Sequence, residues 1–125
     1  MSKLPIDSQE RKGVPIITGC FDYFSLALAE IAKLSKLGND KHNPGQKLHW
    51  SRDKSNDHPD CLGRHLVERG TFDDGWLPDK VRHSTQVAWR ALAILQLELE
   101  AAALPGDGSL REGDGEKREH ARQPK

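Results

Sequence analysis

Net charge is what this sequence lacks first: over 125 residues, nineteen Lys and Arg stand against nineteen Asp and Glu. That balance excludes the broad electrostatic grip by which proteins hold nucleic-acid backbones, so no direct nucleic-acid binding is expected and any anionic ligand has to be held locally. Cysteine is scarce as well. Cys20 and Cys61 are far apart and form no CxxC pair, no apolar run reaches about 18 residues, and the N-terminus carries no basic-then-apolar leader. These absences predict a cytoplasmic protein with free thiols and no membrane partner. The length allows one domain, because chains below roughly 150 residues rarely hold enough apolar material for two cores.

Large apolar residues are almost missing from residues 106–125, GDGSLREGDGEKREHARQPK, where glycine alternates with both charge signs. Such a segment cannot offset the entropy of its own ordering, which predicts a flexible tail after a domain over residues 1–105. Residues 1–19 are punctuated by Pro5, Gly13, Pro15 and Gly19, which predicts an irregular N-terminal arm.

What is present between these ends is helical periodicity. Phe24, Leu28 and Ile31 recur at helical spacing between Phe21 and Leu37, and Gly38-Asn39 reads as a stop. A short second helix is expected from a cap at Ser55 or Asp57 to Arg69-Gly70, with Pro59 in its first turn. A third is expected from about Asp79 to Leu104, before Pro105-Gly106. It carries two apolar stripes, Ala88, Leu92, Leu95 and Leu99 on one side and Trp89, Ala93 and Leu97 on another. A three-helix chain can cover one stripe but hardly both, so an all-α bundle completed by self-association, as a dimer or tetramer, is expected.

The chemistry-bearing residues lie in two places. Glu30 sits within the apolar stripe of the first helix, with Ala27, Leu34 and Leu37 at i−3, i+4 and i+7, so its carboxylate needs a partner; Lys33 or water would satisfy it if it lies at the stripe's edge. Asp57 and Asp60, three apart, share a face at the start of the second helix with Arg64, and the same spacing is that of a helix-capping pair. Together the three acids would make the oxygen-rich shell that Mg²⁺ or Mn²⁺ prefers, suited to hydrolysing a phosphoanhydride. His58, Cys61 and His65, joined by His42 or His49, offer a competing zinc constellation. The loop over residues 39–54 mixes turn formers with His42, His49 and Trp50. Lys47, Arg52, Lys54 and Arg64 would suit a triphosphate, and Trp50 could stack on a base or anchor the loop. Trp76 and Trp89 read as packing residues.

The run FDYFSLALAEIAKLSKLGNDKHNPGQKLHWSRDKSNDHPDCLGRHLVERG, followed by VRHSTQVAWRALAILQLELE, resembles the small phage dATP/dGTP diphosphohydrolase family that includes the MazZ proteins, a branch of the MazG-like pyrophosphohydrolases. The resemblance spans about residues 15–100. It implies hydrolysis of a purine deoxynucleoside triphosphate to the monophosphate and pyrophosphate with Mg²⁺ or Mn²⁺. In such phages this trims dATP and feeds dGMP to a PurZ-type synthetase for 2-aminoadenine DNA, in the host cytoplasm. The family pattern, EExxE on one helix and ExxD on the next, makes Glu30, Asp57 and Asp60 the catalytic and metal-binding candidates. Ala27 and Asp57 stand where that pattern has glutamates. Asn39, His42, Asn43, Trp50, Lys54, His58, Arg64 and His65 are the candidate substrate-binding residues. A non-catalytic helical interaction module and a zinc-stabilised nucleic-acid-binding domain are the competing functional classes.

Overall fold

A computed structural model describes residues 4–103, and the expected flexible tail lies outside the described residues. The fold is all-helical, with one isolated β-bridge, Phe72 to Arg82. Residues 4–94 form one compact unit, and the described residues 95–103, the end of the last helix, belong to a second.

The N-terminal arm is more ordered than its Pro and Gly content predicts. Helix α1 (Ser8–Lys12) forms because the Asp7 side chain caps it, accepting from the Glu10 N–H at 3.0 Å, and Gly13 ends it. A single π-helical turn follows at Ile17–Phe21.

Helix α2 (Ser25–His42) starts later and ends five residues further on than the stop at Gly38-Asn39 suggested. Gly38 keeps its place within the helix, and the Asn39 side chain, rather than breaking the helix, donates to the Gln46 carbonyl at 2.9 Å. The helix ends instead at Asn43, whose successor Pro44 cannot continue it, and Gly45 turns the chain with φ +81°.

Helix α3 (His58–Val67) stops before the expected Arg69-Gly70, with Pro59 in its first turn as expected. The chain then loops from Thr71 to His83, closed at its neck by Asp73 N–H to Val81 O at 2.7 Å and His83 N–H to Thr71 O at 3.0 Å. This closure holds residues 79–82 out of a helix, so α4 spans His83–Ala103 rather than beginning at Asp79.

The first half of α4 meets α2 and α3. Trp89 Nε1 donates to Ser35 Oγ on α2 at 3.0 Å, and Arg90 reaches His58 on α3. Ala93 is buried and Ala88, Trp89 and Leu97 are half-buried, whereas Leu92, Leu95 and Leu99 are about half exposed. Among described apolar side chains only Leu34, Val81 and Ala93 are buried. No single described helix is long and apolar enough to cross a membrane.

Candidate functional site

Within residues 4–94, α2, the loop after it, the start of α3, the 71–83 loop and the first turns of α4 line an open cavity of about 510 Å³, a size that suits a small organic ligand. All three tryptophans of the chain line it. Trp50 meets Trp89 edge to face with ring centroids 5.6 Å apart, and the Arg52 guanidinium lies 4.1 Å over the Trp50 ring. Trp76 is held by its indole N–H to Gln86 Oε1 at 3.3 Å, with Lys41 over its ring at 4.6 Å. Gly38 also borders the cavity; a Cβ there would stand 3.9 Å from Trp76 Cη2, so the missing side chain preserves space between helix and indole.

The described polar residues lining the cavity include Lys54, Arg90, His42, His49 and His58, and no Asp or Glu is among them. Its wall therefore favours an aromatic, anionic guest. Arg90 Nη1 donates to His58 Nδ1 at 2.8 Å and to Ser55 Oγ at 3.0 Å. Because a guanidinium can only donate, His58 Nδ1 is the acceptor, and the neutral ring carries its proton on Nε2. That Nε2 is buried with no partner. Burial, followed by the nearby Arg90 charge, lowers the His58 pKa and keeps the ring neutral near pH 7.

Six of the eight residues expected to bind substrate line this cavity: Asn39, His42, Asn43, Trp50, Lys54 and His58. Asn39 and Asn43 also shape it, since Asn43 Nδ2 donates to Asn39 Oδ1 at 3.4 Å and to Ser51 Oγ at 3.3 Å, pinning the loop against α2. Arg64 and His65 lie elsewhere. Trp76 and Trp89, read as packing residues, line the cavity, as do Gln86 and Arg90, which the sequence did not single out.

The three carboxylates are placed differently from the shell expected of them. Glu30 takes the edge position and pairs with Lys33 at 3.1 Å. Asp57 occupies the N-cap position of α3 without making a capping bond; its oxygens accept from Arg64 Nη2 at 3.1 Å and Ser55 Oγ at 3.0 Å, and Arg64, then Ser55, lowers its pKa. Asp60 is exposed in the first turn of α3. The three do not gather their oxygens around one point, and neither do His58, Cys61 and His65.

A different set does gather. Among the described residues, one ligand atom each from His65, Asp73 and His83 lies within 4.8 Å of the others, the only such group of three or more His, Cys, Asp or Glu. Of these the sequence singled out only His65. Asp73 and His83 come together through the backbone closure of the 71–83 loop, which leaves no local pattern to read.

Comparison with protein-family models, curated proteins and solved structures finds no match to this chain.

Proposed function

We propose that the tryptophan-lined cavity binds a purine deoxynucleoside triphosphate and that the protein hydrolyses it to the monophosphate and pyrophosphate. The observation that carries this reading is the cavity wall itself: three indoles beside Lys54, Arg90 and a neutral His58, without an acid. Indole faces accept a purine by stacking, and the cations suit phosphate oxygens. Asp57 stands at the margin, joined to the wall through Ser55, which accepts from Arg90 and donates to Asp57.

The resemblance to phage dATP/dGTP diphosphohydrolases of the MazG-like type supplies the reaction class and a role in remodelling the nucleotide pool for 2-aminoadenine DNA. It also implies Mg²⁺ or Mn²⁺. As arranged within one chain, Glu30, Asp57 and Asp60 do not fit a shared shell, because their oxygens do not gather around one point, and Lys33 and Arg64 pair with the first two. The same reading includes a homo-oligomer, dimer or tetramer, which the exposed Leu92, Leu95 and Leu99 and the small buried core support. A non-catalytic interaction module would leave the cavity without a purpose.

The test is product analysis. Purified protein incubated with each dNTP and Mg²⁺ or Mn²⁺ is expected to give pyrophosphate and monophosphate from dGTP and dATP on ion-exchange chromatography. Orthophosphate with diphosphate, or no turnover of any nucleotide, would overturn the reading.

A further inference from the structure

His65 and His83 turn their Nδ1 atoms toward each other at 2.9 Å, and the Asp73 carboxylate completes the group. Two nitrogens each about 2.05 Å from a tetrahedral ion stand about 3.3 Å apart, so rings 2.9 Å apart need to part by only about 0.4 Å to serve as neighbouring ligands of a single metal. Each ligand comes from a separately anchored segment: His65 from the last turn of α3, Asp73 and His83 from the two sides of the closed loop neck.

The surroundings are those of ligands held by outer partners. His83 Nε2 faces Glu68 Oε1 at 3.2 Å, a carboxylate behind an imidazole, which fixes the tautomer that leaves Nδ1 free to coordinate. Asp73 Oδ2 accepts from Gln86 Nε2 at 2.8 Å and Oδ1 from the Gly75 N–H at 2.9 Å, leaving lone pairs for an ion. His83 is buried and the other two half-buried.

We propose that His65, Asp73 and His83 form a binding site for a divalent metal ion of the zinc class, separate from the nucleotide cavity. Two imidazoles and one carboxylate are the donors that borderline ions such as Zn²⁺ and Co²⁺ take, with further positions filled by water. The ion ties the end of α3 to the loop and the start of α4. Through Asp73, Gln86 and Trp76 it also braces one wall of the cavity.

The experiment is a Zn²⁺ titration by calorimetry of EDTA-stripped full-length protein without a histidine tag, with nucleotide absent so that the result is independent of hydrolysis. One Zn²⁺ per chain is expected, together with a rise in melting temperature and visible absorption bands when Co²⁺ replaces it. His65→Asn and Asp73→Asn are expected to weaken binding at least about tenfold, and Glu68→Gln, at an exposed outer partner, by a smaller factor. Cys61→Ser is expected to bind as the wild type does. Circular dichroism verifies folding, and Glu68→Gln carries the test if a ligand variant is unfolded. Absence of saturable Zn²⁺ binding, binding unchanged in both His65→Asn and Asp73→Asn, or unchanged in Glu68→Gln where those two do not fold, would show the 2.9 Å contact to be only a hydrogen bond between imidazoles and overturn the proposal.

Discussion

Arg90 donates to His58 Nδ1 at 2.8 Å, and this one bond decides the tautomer of the imidazole. With Nδ1 engaged, the buried Nε2–H is a donor that the protein does not satisfy, and a buried donor left unpaired costs about 1–3 kcal/mol. His58 lines the cavity and its Nδ1 holds the Arg90 guanidinium in the wall, so His58→Asn, which shortens that support, is expected to weaken dGTP binding by about tenfold or more. Calorimetric titration checks this, with melting temperature as the control for folding.

Gly38 separates the size of the cavity from the stability of α2. Gly38→Ala adds a Cβ at an ordinary 3.9 Å from Trp76 and a better helix former, so it is expected to stabilise the fold by up to about 1 kcal/mol and leave binding intact. Gly38→Leu is expected to fill the space and abolish nucleotide binding. Thermal melts and titrations of both variants make the comparison.

Stability is expected to fall as the pH drops below about 6.5, the ordinary histidine value. Burial lowers the pKa of both His58 and His65, so between their folded values and about 6.5 the unfolded chain binds more protons than the native one. In that window stability rises with pH, and it is lost on acidification. Melting temperatures measured from pH 5 to pH 8 should show this slope, and His58→Asn should flatten it.

The exposed side of α4 is expected to mediate self-association. Leu92, Leu95 and Leu99 are 47%, 51% and 54% exposed, too apolar a row to leave in water without a partner. Light scattering is expected to give a dimer or tetramer of the 14.0 kDa chain, and Leu92→Glu with Leu95→Glu a monomer.

Helices α2, α3 and α4 were legible because their apolar residues recur at helical spacing, and the loop after α2 because its composition is too rich for a connector; α1, capped by Asp7 within a Pro- and Gly-punctuated arm, was not. The end of α2 was not, since Gly38 and Asn39 are stop residues by type. Asn39 finds its partner in Gln46 only once the loop folds back. Trp89 and Arg90 belong to the cavity, yet in the run VAWRALA they are indistinguishable from a core-facing turn. Asp73 and His83 were invisible for a third reason: backbone bonds across the neck of the 71–83 loop bring them together. The spacing of Asp57 and Asp60 fits either a helix cap or a ligand pair, and Arg64 gives Asp57 a third role.

Because Trp50, Trp76 and Trp89 all line one cavity and the chain has no other tryptophan, intrinsic fluorescence reports its occupancy directly. Titration with dGTP or dATP is expected to quench the emission saturably at one nucleotide per chain, with dTTP far weaker and Gly38→Leu unresponsive. Emission unchanged by any purine nucleotide, or quenched equally by all four dNTPs and by Gly38→Leu, would contradict a purine-binding cavity.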